Sequence, residues 1–285
     1  MSSEAMRGKT VMITGANSGI GKVTARALAG MGAHVILACR RDQAAEAAMQ
    51  DIRREVPDAS LEFVRVDLSS QASVRDCARA INERHRSLDV LINNAGIANL
   101  RREESVDGIE MTFATNHLGP FLLTHLLLPL LRKAHGRIVN VASDAHKAGR
   151  IHWDDPELKK GYWVLNSYAQ SKLCNILFTR ALARRVAADN IKVNCLHPGA
   201  VATSIWPEKF WWERLFSRVL KWFLINEEQG ARTSIWLASG EAGGRQTGKY
   251  FFKCQEAKPA KKALDDQAAE RLWQLSAQMT GVTNV

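Results

Sequence analysis

Lys9-Thr10-Val11-Met12-Ile13-Thr14-Gly15-Ala16-Asn17-Ser18-Gly19-Ile20-Gly21 is the stretch whose reading decides the fold. A short β-rich run leads into three glycines within seven positions, and a helical pattern through Val23, Ala27 and Leu28 follows. That order predicts strand, tight turn, helix. Glycine lets the backbone turn sharply and lie close to a ligand. The amino end of the helix then offers free amides and a positive dipole end to a pyrophosphate. An ordinary strand-to-helix turn would not need three glycines. Gly15, Asn17, Ser18, Gly19, Ile20 and Gly21 are therefore candidate dinucleotide-binding positions.

The second apolar strand, Ala33 to Cys39, ends in Arg40-Arg41, with Asp42 only afterwards. In dinucleotide folds an acidic residue near this point holds the ribose diol, whereas an arginine accommodates a 2′-phosphate. A guanidinium pairs with phosphate bidentately. Arg40 and Arg41 thus predict NADP(H) as the cofactor; the other reading is two arginines facing solvent at a strand end. A helical stretch over 43–55 leads to a third strand, Leu61 to Val66, which ends in Asp67-Leu68. The Asp67 carboxylate can accept from an adenine amine, or it can belong to a helix cap. A helix over 71–86 precedes the strand Leu88 to Ile92, which ends in Asn93-Asn94-Ala95-Gly96, small and amide residues suited to lining a cofactor cleft. A helical stretch over 105–132 carries Asn116, and a fifth strand, Gly136 to Ala142, ends at Ser143. Ile191 to Leu196 reads as the sixth strand and Gly248 to Phe252 as the seventh. Strands and helices alternate without repeat or linker. The pattern predicts one domain over 1–285, an α/β fold with a single doubly wound (Rossmann-type) parallel sheet of about seven strands and helices on both faces.

Two positions stand out chemically on the helical pattern that runs from Tyr168 to about Val186. Tyr168 and Lys172 lie four apart and so share a face. A free phenol has a pKa of about 10. A neighbouring ammonium favours its ionised form, which makes the pair a candidate acid/base unit. Ser143, at the carboxyl edge of a parallel strand, points into the ligand crevice of such a fold. It lacks the Gly-x-Ser-x-Gly context of a hydrolase nucleophile. Asn116 is unfavourable mid-helix unless it finds partners, so it reads either as a polar plug of the core or as a water-holding relay.

Composition narrows the class. The five cysteines, Cys39, Cys77, Cys174, Cys195 and Cys254, are scattered, and neither Cys-x-x-Cys nor His-Glu-x-x-His spacing occurs. We expect free thiols in a reducing, cytoplasmic setting and no metal. The start, Met1-Ser2-Ser3-Glu4, is polar and no signal peptide is expected. The most apolar run, Leu118 to Leu131, is interrupted by Pro120, Thr124, His125 and Pro129 and is too short to span a bilayer. The net charge of +10 is spread in doublets such as Arg53-Arg54 and Lys159-Lys160, which reads as solvated surface and not as a nucleic-acid face.

Taken in order, Thr14-Gly15-x-x-x-Gly19-x-Gly21, Asp67, Asn93-Asn94-Ala95-Gly96, Asn116, Ser143, Tyr168-x-x-x-Lys172 and Pro198-Gly199 with Thr203 resemble the short-chain dehydrogenase/reductase family. The resemblance implies that Ser143 and Tyr168 bind a substrate oxygen and that Tyr168 transfers the proton while the nicotinamide transfers the hydride. It implies that Lys172 holds the ribose hydroxyls and lowers the tyrosine's pKa, and that Asn116 serves a proton relay. Pro198, Gly199, Val201 and Thr203 would wrap the nicotinamide end. Asn140-Val141-Ala142-Ser143, Ser171-Lys172-Leu173-Cys174-Asn175, Ala38-Cys39-Arg40 and Gly248-Lys249-Tyr250-Phe251 look like the retinol dehydrogenase branch. That narrower resemblance implies NADP(H) and a lipophilic aldehyde or ketone interconverted with its alcohol, retinal and retinol first. A soluble reductase of steroid, quinone or xenobiotic carbonyls, a tetrapyrrole reductase, or an NADP(H)-sensing binding protein are the rival readings. Many members of the branch carry an N-terminal membrane segment, and none is expected here. Family habit implies a homodimer or homotetramer.

Residues 200–228 form the most unusual segment. Trp206, Phe210, Trp211, Trp212, Leu215, Phe216, Val219, Trp222 and Phe223 alternate with Lys209, Arg214, Arg218 and Lys221. A basic, tryptophan-rich amphipathic helix over 206–225 fits a substrate lid, peripheral membrane contact, or packing on a flank or subunit. Trp206 and Trp211, together with His146 and the neighbourhood of Trp153, are the candidate substrate contacts.

Overall fold

The structure, a computed structural model, describes residues 4–199 and 226–283. The expectations placed on Val201, Thr203, Trp206, Trp211 and the helix over 206–225 lie outside the described residues.

The sheet is built from β1 (Thr10–Thr14), β2 (His34–Cys39), β3 (Ser60–Arg65), β4 (Val90–Asn93), β5 (Arg137–Val141), β6 (Lys192–Leu196), β7 (Tyr250–Phe252) and β8 (Gln255–Glu256). Its order is β3-β2-β1-β4-β5-β6-β7-β8. The first seven strands run parallel, as the alternation predicted, and only β8 is antiparallel. The eighth strand is an addition to the seven read from sequence. It closes a hairpin whose two loop residues, Lys253 and Cys254, both have positive φ, 49° and 60°. Two-residue hairpins of this hand normally take Asn-Gly or Asp-Gly, so Lys-Cys carries no turn signal.

Register turns the period-two alternation of each strand into two cores. Ile36, Met12, Leu91, Ile138 and Val193 are paired neighbours across five strands and form one continuous row. They face α3 (Gln71–Arg84), α4 (Gly119–Ala134), α5 (Val164–Arg185) and α7 (Asp266–Thr280). Val11, Ile13, Val35, Leu37, Ile92 and Val139 point the other way, toward α1 (Gly19–Gly30), α2 (Asp42–Glu55) and α6 (Glu227–Ser239). The strands are buried on both faces, the usual state of a parallel sheet sandwiched by crossover helices.

The stretch read as one helix over 105–132 begins later. Residues 105–109 make a tight turn, with Ser105 accepting from Asp107 and Ile109 and Gly108 at φ 73°. The chain enters helix at Met111–Phe113, where the buried Glu110 carboxylate accepts from the amides of Thr112 (2.8 Å) and Phe113 (2.7 Å). A π-helical turn, Ala114–Leu118, holds Asn116 before α4 continues to Ala134. Among the described residues no helix is long and apolar enough to cross a membrane.

A buried polar ladder ties the central strands to α4 and α5. Asn93 Nδ2 donates to Thr124 Oγ1 (2.9 Å) and to Asn140 Oδ1 (2.8 Å). Asn140 Nδ2 donates to Thr179 Oγ1 (2.9 Å), which donates to the Asn175 carbonyl (2.8 Å). Cutting it leaves buried groups unpaired, each costing about 1–3 kcal/mol. We expect Asn140→Ala to lower unfolding stability by about 2 kcal/mol, read from the shift in urea midpoint; an unchanged midpoint would show that the ladder contributes no net stability.

Candidate active site

The carboxyl ends of β1 to β5 open on one edge of the sheet, and the order reverses between β1 and β4. A crevice outside the strand ends at such a switch point is where open α/β sheets bind ligands. A cleft of about 280 Å³ lies there. It runs from the β1–α1 turn past the ends of β2, β3 and β4 to α5.

Of the positions read as cofactor-binding, Gly15, Asn17, Ser18, Gly19, Ile20 and Gly21 all line this cleft. The amino end of α1 has no side-chain cap at Ser18, so its first amides stay available to an anion. Gly21 is dictated by packing, because a Cβ there would sit 2.3 Å from the Gly15 carbonyl oxygen and 2.6 Å from Asn94 Nδ2. Asn94 fixes the turn from the other side, donating from Nδ2 to the Thr14 carbonyl oxygen (2.9 Å). Thr14, the first residue of the glycine motif, has a structural role that the sequence reading did not assign. Its Oγ1 accepts from the amides of Asn94 (3.0 Å) and Ala95 (3.1 Å) and so ties β1 to β4 across the switch point. Thr14 opens the glycine motif in the sequence, and the pairing of β1 with β4 shows what its side chain does.

At the far end of the cleft Arg40 lines the wall, together with Asp67 and Leu68. Arg41 does not; it is exposed at the amino end of α2. Asp42, the carboxylate that would oppose a 2′-phosphate, is engaged by Arg65 Nε at 2.9 Å. Asp67 uses one oxygen, Oδ1, to accept from Ser69 N (3.0 Å) and Ser69 Oγ (2.6 Å), while Ser70 is the residue that caps α3. Asp67 therefore braces the cleft wall and does not cap the helix.

The near end carries Tyr168 and Lys172, the candidate acid/base pair. Tyr168 is partly buried on the first turns of α5, and Lys172 is buried one turn further on, 3% exposed. Lys172 Nζ lies 5.4 Å from the Tyr168 ring centre and donates to the Val141 carbonyl oxygen at the end of β5 (3.0 Å). Burial raises the Tyr168 phenol above its ordinary pKa, and its hydrogen bond with Ser143 offsets this only in part. Burial also lowers Lys172, to about 8. The shift of Tyr168 is upward, opposite to the lowering that the resemblance implies, and at neutral pH Tyr168 is a phenol beside an ammonium. Ser143 stands two residues beyond the end of β5 and opens a short 3-10 turn, its Oγ accepting from Ala145 N (3.2 Å).

Asn116 uses both ends of its amide. Its Oδ1 accepts from Ile97 N (2.8 Å), and its Nδ2 donates to the Ile97 carbonyl (2.9 Å) and to Ser171 Oγ (3.0 Å). The π-turn aims it at the strand end, and it clamps the cleft wall onto α5. Gly96 fits between, since a Cβ there would meet Lys172 Nζ at 3.2 Å and Asn116 Oδ1 at 3.4 Å. Ala95 and Pro198 line the cleft, and Gly199 N donates to His197 Nδ1 (3.3 Å), which sets the exit of β6.

Two substrate assignments need correction. His146 is fully buried, with Nδ1 donating to the Ser143 carbonyl (2.7 Å) and Nε2 accepting from Ala260 N (3.1 Å). With both nitrogens held by backbone it is a scaffold group behind Ser143, not a substrate contact. Trp153 lies under the Arg271 guanidinium, 4.5 Å from the ring centre, and lines a different cavity with Leu173 and Leu177.

A lysine held near 8 in the fold and at 10.5 when unfolded binds fewer protons in the native state between those values, so native stability rises with pH across that window. At neutral pH the buried charge costs about 3 kcal/mol. We expect Lys172→Met to abolish turnover yet to raise the urea midpoint at pH 7, with the advantage over the natural chain shrinking as pH climbs above 8. A midpoint lowered at pH 7 would show that the Val141 bond outweighs the desolvation.

Comparison with known proteins agrees with this geometry. The short chain dehydrogenase family matches residues 9–214. Retinol dehydrogenase 14 of Homo sapiens is 42% identical over 97% of this chain and 88% of its own length. Dehydrogenase/reductase SDR family member 13 of Homo sapiens is 41% identical over 97% of this chain and 74% of its own. Among solved structures, an uncharacterised protein of Mycobacterium paratuberculosis superposes with a TM-score of 0.78 at 35% identity, covering 97% of this chain and 94% of that one. The NADP complex of RhlG from Pseudomonas aeruginosa gives a TM-score of 0.69 at 26% identity over 88% and 97%. A glycine-turn cleft that ends at a buried tyrosine–lysine pair, on a chain this similar to these proteins, belongs to the short-chain dehydrogenase/reductase family of oxidoreductases.

Proposed function

We propose that the protein interconverts a lipophilic aldehyde or ketone and its alcohol with NADP(H), retinal and retinol being the first pair to test. The observation that carries the reading is Tyr168, with the Lys172 ammonium 5.4 Å from its ring centre, at one end of a cleft that has Arg40 at the other. Relatives named retinol dehydrogenase, 40–42% identical, support the substrate class. The NADP complex of RhlG supports the cofactor, as does the pairing of Asp42 with Arg65, which leaves Arg40 at the cleft without a competing carboxylate.

Bound NADPH would supply the hydride. The amides at the start of α1 would hold its pyrophosphate, Arg40 its 2′-phosphate, and the two free donors of Lys172 its ribose hydroxyls. Ser143 orients the carbonyl oxygen by hydrogen bond. Tyr168, kept protonated by burial, gives its phenolic proton to that oxygen, and the ammonium of Lys172 stabilises the phenolate that forms. Asn116 has a second lone pair on Oδ1 with which to serve the relay that reprotonates Tyr168.

The basic tryptophan-rich pattern over 206–225 supports a lid or peripheral membrane contact as part of the same reading. The free cysteines, four of them buried, support a reducing, cytoplasmic setting. Family resemblance supports a homodimer or homotetramer.

NADPH oxidation with all-trans-retinal, a long-chain aldehyde, a steroid ketone and a quinone tests the substrate. Retinal should turn over fastest, and a preference for another carbonyl would keep the chemistry and remove the retinoid. Tyr168→Phe should lose turnover by orders of magnitude while NADPH still binds, and retained turnover would sink the proton-donor role. Arg40→Asp should weaken NADPH by at least about tenfold, the scale of one charge-assisted hydrogen bond, and leave NADH little changed. Equal loss of both cofactors would remove the 2′-phosphate assignment.

A further inference from the structure

We propose that His34, Glu62 and His85 form a binding site for a divalent transition metal of the zinc class, at the end of the sheet opposite the cofactor cleft. The three residues come from separate elements. His34 is the first residue of β2, Glu62 lies within β3, and His85 is the residue that ends α3. Parallel register sets His34 opposite Ser60 and Ile36 opposite Glu62, so His34 and Glu62 share one face of the sheet. That is the face on which α3 packs, and the end of α3 delivers His85 to the same point.

The donor atoms converge. His34 Nε2 lies 3.2 Å and His85 Nε2 2.9 Å from the same carboxylate oxygen, Glu62 Oε2, and all three atoms are within 4.8 Å of one another. Zinc bonds of about 2.0–2.1 Å in tetrahedral geometry space neighbouring ligand atoms by about 3.3 Å. The nitrogen–oxygen separations already match that spacing, and a modest tilt of the rings, now 5.7 Å apart, closes the third edge.

The surroundings favour ligation. His34 Nδ1 is 2.8 Å from Ser60 Oγ, a partner that orients the ring and leaves Nε2 facing Glu62. Arg84 Nη1 donates to the other carboxylate oxygen, Oε1, at 3.1 Å and so leaves Oε2 as the single ligand oxygen. The side chains are 31%, 21% and 14% exposed, enough shielding to hold an ion and enough opening for it to enter and keep a solvent ligand. Two imidazoles and one carboxylate suit zinc, nickel or copper over magnesium or calcium. Since β2 runs about 16 Å from His34 to Cys39 at about 3.3 Å per residue, the ion is remote from the chemistry. Its role is a clip that fastens the edge strand β3 and the end of α3 to β2.

Calorimetric titration of the full chain with Zn²⁺ alone, in a non-chelating buffer at neutral pH, should show one saturable site per chain. Zn²⁺ at a hundredfold excess over its Kd should raise Tm by about 5 °C or more. The double substitution His34→Ala with His85→Ala should remove both effects, and Glu62→Gln, which keeps the size of the side chain, should do the same in a chain verified as folded by circular dichroism. Ser60→Ala should weaken binding by about 10–100-fold, the effect of losing an outer partner. No saturable binding at millimolar Zn²⁺, or a site that survives both the double substitution and Glu62→Gln, overturns the proposal; the cluster is then a hydrogen-bonded ion pair only.

Discussion

The Lys172 ammonium, the one buried Lys or Arg among the described residues, constrains what surrounds it. An ammonium that deep in the fold needs partners or it sheds its proton. Among the described residues its hydrogen-bond acceptor is the Val141 carbonyl, and burial lowers its pKa to about 8. The contact holds only if α5 keeps its place against the end of β5. Most of α5 is buried from Ser167 onward, yet it is far from uniformly apolar, carrying Ser167, Gln170, Ser171, Asn175 and Thr179 inside. These residues bond to elements on every side. Ser167 donates to Glu110, Gln170 receives from His152 N and donates to the Pro156 carbonyl, Ser171 receives from Asn116, and Thr179 receives from Asn140. Each bond contributes only about 0.5–1.5 kcal/mol net. Together they fix the rotation and depth of the helix, which a smooth apolar face would leave free to slide.

Stability and placement are thereby divided between different residues. The rows Ile36–Met12–Leu91–Ile138–Val193 and Val11, Ile13, Val35, Leu37 drive folding by burial on the two faces of the sheet. They say little about where a side chain must sit to within a fraction of an ångström. That is set by the directional polar contacts at the strand ends: Thr14 between β1 and β4, Asn116 between the wall of the cleft and α5, His146 behind Ser143. His146 illustrates the point. A buried histidine beside a catalytic-type serine invites a substrate role, but its two nitrogens are spent on backbone, and its contribution is to hold the turn that presents Ser143.

The same division explains what was legible in the sequence. The Gly15–Gly21 turn, the alternation of strands and helices, and the Tyr168–Lys172 spacing are local signals, and the structure places them where the reading did. What escaped depends on contacts between distant parts of the chain. Asn116 was visible as an oddity, but the π-turn that aims it at Ile97 comes from a helix obliged to start at Glu110 and bend into α4. The hairpin at Lys253-Cys254 adopts a conformation its residues do not favour, held by the pairing of β8 with β7. Arg40 and Arg41 are equivalent as letters, and only the geometry at the start of α2 turns one into the cleft and the other to solvent. His34, Glu62 and His85 form no motif, because register and helix length bring them together.

Charge on this protein is also distributed by function and not by composition. Many of the 39 basic side chains are paired locally, as Arg185 with Glu270, Arg65 with Asp42 and Arg26 with Glu55, and the net +10 is the excess over the 29 acidic ones. Exposed pairs of this kind contribute little to stability. The pair of Arg65 with Asp42 matters for a different reason. It removes from the end of β2 the carboxylate that would repel a phosphorylated ribose, while no partner among the described residues claims Arg40. A cofactor preference would then be set less by the arginine that touches the cleft than by the neighbour that silences an aspartate two residues along the chain. On this argument Arg65 shapes the charge at the end of β2 as Arg40 does, although it does not line the cleft.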